Sequence, residues 1–409
     1  MRIVITAGEA SGDLFGAELA RALRDLDPNI VVSGIGGPRM RRAGVTLVRD
    51  SSTWGSIGVV NALKVLHRAL AGYAALRRHL RAHPPAVLVP IDFGAFNVRV
   101  GRFARSLGIP VYYFIVPGSW RRSGPISPSL LEAADYFCTQ LPWHADRLRA
   151  AGARAEFYGH PLLDLAFPSR PAEAIRQAWG LEVDAPVVCL FPGSRRHEVE
   201  HILPAFLDAA ALIRERVPRA RFVLGLAEVV DRRQVGRILR TRGWSAREPA
   251  EDQGGPGRGA FPFAASSPGS HTPEVIMVTG RTYDCLAVAN AALCASGTVT
   301  LESAILGVPH LIVYRGSFGM RLQYQLVKHK IGYIGLPNLL LDASICPELL
   351  DTAATPERIA DECTALLLDE ERARAQKDGF ARLMELLGQP GVIRRAAERI
   401  LDVARRTQA

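Results

Sequence analysis

A succession of short, continuous apolar runs, each closed by small or turn-forming residues and followed by a helical stretch, limits how this chain can fold. The runs are RIVITAG, IVVSGIGG, AVLVPID, VYYFIVP, DYFCTQLP and AEFYGHP, then VVCLFPGS, ARFVLGLA, EVIMVTG, AALCASG and HLIVYR. A strand exposed on one face alternates apolar and polar residues. A continuous apolar run instead belongs to a strand covered on both faces, hence to a parallel sheet flanked by helices. The series breaks near Phe167-Pro168-Ser169-Arg170-Pro171 and then restarts. The expectation is an α/β protein of two doubly wound, Rossmann-like domains facing a cleft, residues 1–167 and 168–355. Residues 356–409 read as a helical tail that either returns to the first domain or packs on a partner subunit, as in a homodimer. The stretch 249–274, rich in Pro, Gly and Ser, cannot bury a core and reads as a disordered surface insertion.

The 409 residues suffice for two full cores at ~150 residues per domain. No apolar run approaches the ~18 residues of a membrane span, and the N-terminus runs straight into a strand without signal-peptide features. A cytoplasmic protein is therefore expected. Six cysteines (Cys138, Cys189, Cys285, Cys294, Cys346, Cys363) show no metal-ligand spacing and read as buried thiols, so no metal site is expected. The net charge of +10 reflects either an Arg-heavy genome or a surface suited to phosphorylated substrates or anionic headgroups. Nucleic acid is disfavoured, because no basic run is interleaved with aromatics.

Two turns in the second half carry the chemistry. Gly193-Ser194-Arg195 ends VVCLFPGSR, and Ser296-Gly297-Thr298 ends AALCASGT, with Glu302 about one helical turn later. Small residues where a strand enters a helix let backbone N–H groups approach a phosphate, and the helix N-terminus adds partial positive charge. Two such turns, one with a cation and one with a carboxylate for ribose hydroxyls, suit a nucleotide diphosphate and point to a nucleotide-sugar enzyme.

In the first half, Ala7-Gly8-Glu9-Ala10-Ser11-Gly12-Asp13 forms a tight turn into a helix, with Ser11 or Asp13 as cap or ligand contact. Asp92 ends the third run, where a carboxylate at the sheet's carboxyl edge serves either as general base or as cap of the next helix. Trp120 with Arg121 and Arg122, His160 beside the linker, and Asn338 in Leu336-Pro337-Asn338 are further candidate contacts. The helix 61–81 carries Leu63, Leu66, Leu70, Tyr73, Leu76 and Leu80 on one stripe, either a core face or a membrane-touching face.

Taken together these stretches resemble the lipid-A-disaccharide synthase family. The resemblance rests on AGEASGD (7–13), GIGGPRM (34–40), Ile91-Asp92 with Phe96-Asn97, YGHPLLD (158–164) and FPGSR with Glu198. It continues through ASGT with Glu302, LVK (326–328), LPNLL (336–340) and PELL (347–350). It implies the GT-B architecture and an inverting glycosyl transfer with no metal or other cofactor. The implied donor is UDP-2,3-diacylglucosamine and the acceptor 2,3-diacylglucosamine 1-phosphate, giving a β-1,6 disaccharide and UDP in lipid A biosynthesis. It further implies peripheral contact with the inner face of the cytoplasmic membrane.

On that reading Asp92, Ser11 and Asp13 are the catalytic candidates. Gly12, Asn97, Trp120, His160, Ser194, Arg195, Glu198, Ser296, Gly297, Thr298, Glu302 and Asn338 are the substrate contacts. The departures fall in the first domain. Ala95 stands where the family's IDAPDFN segment has a second Asp, His144 replaces a Glu, Asn61 replaces another, and VPGSWRRS replaces SPSVWAWR. The rival readings are a UDP-sugar enzyme with another acceptor, a 2-epimerase-type enzyme, and a UDP-sugar-binding protein without turnover.

Overall fold

The computed structural model describes residues 1–52, 54, 59–119, 121–250, 272–316 and 332–408, with backbone only for 59–66 and 407–408. The chain divides into two compact units, Met1–Leu165 with Leu386–Ala409, and Ala166–Glu385.

The first unit is built on seven parallel strands: β1 (Arg2–Ala7), β2 (Val31–Gly36), β3 (Thr46–Asp50), β4 (Val87–Ile91), β5 (Tyr112–Phe114), β6 (Tyr136–Thr139) and β7 (Ala155–Phe157). Their order is β3-β2-β1-β4-β5-β6-β7. The chain leaves β1 toward β2 and β3, then returns to build outward from β4 on the other side. The direction therefore reverses between β1 and β4, and the crevice at their carboxyl ends is the place where doubly wound sheets bind ligands.

The second unit repeats the arrangement with β8 (Val187–Phe191), β9 (Arg221–Leu226), β10 (Ser245–Arg247), β11 (Glu274–Thr279), β12 (Ala291–Ala295), β13 (His310–Tyr314) and β14 (Glu348–Leu350). The order β10-β11-β9-β8-β12-β13-β14 puts the reversal between β8 and β12. Strand β8 shows why the apolar runs are continuous. Val188 and Leu190 enter the core under helix Arg196–Arg216, while Val187, Cys189 and Phe191 enter the opposite core with Ile175 and Trp179. Every residue of β8 and β12 is buried, and each fully buried large apolar side chain contributes about 1.5–3 kcal/mol.

Three strands depart from the sequence expectation. Strands β3, β10 and β14 occupy sheet edges and are half exposed, so they lack continuous apolar runs. Of the proposed insertion 249–274, residues 251–271 lie outside the described residues. Its last residue, Glu274, opens β11 and pairs in register with Ser245.

The helical region after residue 355 is divided between the units. Helix Pro356–Leu368 packs on Arg196–Arg216 in the second, whereas helix Val392–Gln408 packs on helix Ala10–Leu26 in the first. The Asp164 carboxylate accepts the N–H groups of Gly391 (2.5 Å) and Ile393 (2.7 Å), capping that last helix from a distant segment. Arg399 pairs with Glu156 at 2.8 Å along the same seam.

The helix 61–81 is observed as Val59–Ala82. Its Leu76 and Leu80 are buried in the unit's own core with Tyr73 packed against them, while Leu70 is 49% exposed. The supposed single stripe therefore splits, and its second half is a core face; Leu63 and Leu66 are among the residues with backbone only. Among the described residues no helix is long and apolar enough to cross a membrane, and all six cysteines are buried, none of them in a disulfide.

Candidate functional site

In the second unit both glycine turns lie at the carboxyl ends of β8 and β12, the two strands flanking the reversal point. Gly193 adopts φ +102°, and a side chain there would overlap the Glu198 carboxylate. Glu198 Oε2 accepts the backbone N–H groups of Ser194 and Arg195, each at 3.0 Å, and Oε1 accepts the Arg195 guanidinium at 2.9 Å. The N–H groups that the sequence offered to a phosphate are bonded here to Glu198, whose carboxylate closes the turn. The half-exposed Arg195 side chain and the exposed Ser194 remain as the turn's outward groups.

At the neighbouring turn, Ser296 Oγ donates to Ile334 O at 3.1 Å, and Gly297 is exposed where helix Thr298–Ile305 begins. Glu302 is half-buried and accepts the Tyr283 hydroxyl at 3.0 Å. Tyr314, at the end of β13, completes the neighbourhood; its phenol pKa is raised by burial and by the nearby charges of Asp351 and Glu198.

Asn338 is fully buried and makes four bonds. Its Oδ1 accepts from Ile345 N (2.9 Å) and Cys346 N (2.8 Å), and its Nδ2 donates to Cys346 O (2.7 Å) and Glu348 Oε1 (2.8 Å). Its hydrogen-bonding capacity is filled, so it locks the 338–348 loop and does not read a base.

In the first unit the turns after β1 and β4 again flank the reversal point. Asp92 N donates to Ile115 O at 2.9 Å, and both Asp92 (φ 43°) and Phe93 (φ 55°) are left-handed, as is Ile115 (φ 63°). Such backbone costs about 1–2 kcal/mol per non-glycine residue. The Asp92 carbonyl is held by the Tyr113 hydroxyl (2.9 Å) and by Asn97 Nδ2 (2.8 Å). Burial and, secondly, the charge of Glu9 raise the Asp92 pKa to about 6, against a lowering bond from the Phe93 N–H. Phe93 lies over Gly8, where a methyl would overlap its ring, and contacts Trp54 and Phe96 at centroid distances of 5.8 and 5.4 Å. A carboxylate with a raised pKa, set beside an aromatic wall, is poised for proton transfer near neutral pH.

Four other candidates in this unit bond to or pack against the protein's own backbone and side chains. Asp13 is buried and accepts three backbone N–H groups, from Gly37 (2.7 Å), Arg39 (2.9 Å) and Met40 (3.0 Å), capping helix Pro38–Arg42. Gly12 is buried inside helix Ala10–Leu26 against Ala7. Asn97 is fully buried and bonded to Thr6, Ile91 O and Asp92 O. His160 Nδ1 accepts from Leu162 N at 3.2 Å, capping the 3₁₀ turn Pro161–Asp164, and burial depresses its pKa to about 3.

Ser11 is half-buried in the first turn of its helix. Trp120 and the LVK segment lie outside the described residues. Trp143 Nε1 donates to Ser119 O at 2.9 Å, and the Arg122 guanidinium lies 4.1 Å from the Trp143 ring centroid. His144 is buried, and its pKa is lowered to about 4 by burial and by Arg147. Among the described residues no three His, Cys, Asp or Glu side chains are grouped to hold a metal ion.

The sequence profile of the family described as lipid-A-disaccharide synthetase matches residues 3–246 and 269–401. The lipid-A-disaccharide synthase of Geobacter metallireducens is 34% identical over 405 residues, spanning 98% of this chain and 97% of the relative. The chain belongs to the lipid-A-disaccharide synthase family. The Myxococcus xanthus member is 31% identical over 403 residues, spanning 98% of this chain and 97% of its own.

Membership in the lipid-A-disaccharide synthase family makes the chain a glycosyltransferase of lipid A biosynthesis. Solved structures add the GT-B fold. MurG of Acinetobacter baumannii superimposes with a TM-score of 0.53 at 15% identity, covering 98% of this chain and 99% of its own. The UDP-GlcNAc 2-epimerase of Neisseria meningitidis, bound to UDP-GlcNAc, does so with 0.60 at 11%, covering 99% and 100%.

Against the family's motifs, sequence reading missed Tyr113 and Tyr283, which hold Asp92 and Glu302. It also missed the role of Glu348, whose carboxylate accepts the N–H groups of Ile334 and Gly335, each at 3.0 Å. All three act across turns that no local pattern marks.

Proposed function

We propose that this enzyme transfers a diacylglucosamine unit from its UDP-linked donor to the 6-hydroxyl of a diacylglucosamine 1-phosphate, with inversion at C1. The observation that carries the chemistry is Asp92, a carboxyl at the reversal point of the first sheet with its pKa raised to about 6. Near neutral pH it is mostly ionised and can take the acceptor's proton. As that proton passes to Asp92, the hydroxyl oxygen attacks C1, the bond from C1 to the diphosphate breaks, and UDP leaves with the electron pair. In-line attack on an α-linked donor gives the β-1,6 disaccharide.

We assign the donor to the second unit, with Arg195 on the diphosphate, Glu302 on ribose hydroxyls, and the exposed start of helix Thr298–Ile305 adding positive charge. UDP-bound proteins of the same fold, among them the MnaA–UDP complex of S. aureus, support a uridine diphosphate ligand. We assign the acceptor to the first unit, with Asp92 and Ser11 as its polar contacts and the Phe93 wall offered to acyl chain. The net charge of +10 favours work at an anionic surface, the inner face of the cytoplasmic membrane.

The test is UDP release from UDP-2,3-diacylglucosamine in detergent and EDTA, with and without 2,3-diacylglucosamine 1-phosphate. Acceptor-dependent release that survives EDTA, with a β-1,6 product by NMR, is expected. Acceptor-independent release, an α product, or undiminished turnover in Asp92→Asn would each overturn the reading.

A further inference from the structure

Among the described residues five non-glycine positions have positive φ, and three of them (Asp92, Phe93 and Ile115) meet at the ends of β4 and β5. Ile115 is the most telling, because a β-branched residue strongly avoids left-handed backbone. The three are joined by the bond from Asp92 N to Ile115 O. Strain gathered in one place persists only where neighbouring groups over-determine it, and its concentration at a candidate base points to a purpose.

The group that fixes this backbone from the sheet is Tyr113. Its ring is buried in β5 and stacked on Phe137 with centroids 6.3 Å apart and planes 13° apart. That packing aims the hydroxyl at the Asp92 carbonyl, 2.9 Å away. Asn97, from helix Gly94–Ser106, donates to the same oxygen.

We propose that Tyr113 is a positioning residue for Asp92, clamping its peptide in the left-handed conformation that keeps the carboxyl half-buried beside Glu9. This rests on the reading of Asp92 as the base. Tyr113 does not exchange protons with substrate; it acts through the Asp92 carbonyl. Among the described residues the titratable groups facing Asp92 are Glu9, from the turn after β1, and Tyr113 itself; the helix contributes only the neutral Asn97. Without the clamp the 92–93 peptide relaxes toward ordinary backbone and the carboxyl turns into water. Desolvation, the main cause of its raised pKa, then fades.

Tyr113→Phe removes the hydroxyl and leaves the stacked ring. With the full chain, kcat is expected to fall about 10-fold or more, within the ~100-fold that misplacement near 1 Å produces. KM for the UDP-sugar stays unchanged. The acid limb of kcat against pH, near 6 in the unaltered enzyme, moves at least one unit toward the ordinary 3.8. Asn97→Ser, which removes the other bond to that carbonyl, moves the limb in the same direction and serves if Tyr113→Phe does not fold.

A folded variant with an unmoved limb overturns the proposal, whether kcat is kept or lost, since a merely structural role would lower kcat or stability alone. Failure of the underlying reading looks different: Asp92→Asn would then retain turnover and the limb near 6.

Discussion

Replacing Asp92 by Asn should make the protein more stable at alkaline pH while abolishing turnover. Burial and Glu9 raise the carboxyl from 3.8 to about 6 in the folded chain. A carboxyl shifted upward contributes stability while protonated; that contribution is fully present below pH 3.8 and is lost as pH rises through about 6. At pH 8 the folded state therefore carries an ionised, partly desolvated group at a penalty of about two pKa units. At 1.36 kcal/mol each this is ~3 kcal/mol, reduced to ~1.5–3 kcal/mol by partial exposure and screening.

The neutral amide escapes that penalty. In a unit of this size the melting transition rises by roughly 2–4 °C per kcal/mol, so a gain of roughly 3–12 °C is expected at pH 8. By pH 4.5 the advantage shrinks to ~1 kcal/mol or less, because the folded Asp92 is by then protonated. Thermal melts of both proteins at the two pH values, followed by Trp fluorescence, decide the matter. A variant that melts no higher than the parent at pH 8, or that gains equally at both pH values, refutes the reasoning.

Arg195→Ala and Glu302→Ala should each weaken UDP binding by about 1–3 kcal/mol, as expected when a charged partner is lost, with a smaller loss for Tyr283→Phe, read by calorimetry with UDP. Equal affinity in all three would remove the β8 and β12 turns from the donor site. Asn338→Ala leaves two backbone N–H groups, a carbonyl and the Glu348 carboxylate short of partners, and should destabilise the second unit by about 2–4 kcal/mol in urea titrations. An effect confined to UDP affinity would show instead that Asn338 contacts the ligand.

Much of the fold could be read from the chain because a strand covered on both faces writes itself locally, as VVCLFPGS and AALCASG do. Of the four edge strands only β7, within AEFYGHP, could; β3, β10 and β14 could not, because one side of each faces no neighbouring strand and their residues need not be apolar. The candidate site was legible to the same depth. Turns that follow apolar runs and precede helices marked both reversal points, since strand order places them there. The fate of individual side chains was not legible. Asp13, His160, Glu198 and Asn338 have the same residue types as ligand-binding groups. Whether such a carboxylate or amide faces a ligand or a backbone N–H is settled by which segment arrives beside it, as Gly37 does at Asp13. Tyr113 shows the converse. A tyrosine within an apolar strand reads as core, and only the meeting of β4 and β5 turns its hydroxyl toward Asp92.

The split of the first unit across the sequence sets a timetable for synthesis. Helix Ala10–Leu26 is covered by helix Val392–Gln408, and between Leu165 and Leu386 the ribosome must make the whole second unit, roughly 220 residues. At about 5–20 residues per second, the apolar flank of that early helix waits roughly 10–45 s for its cover. The second unit, continuous in sequence, can close in the meantime. Nascent chains released before residue 386 should therefore be the ones chaperones retain, and their rescue would need only a short C-terminal peptide supplied in trans.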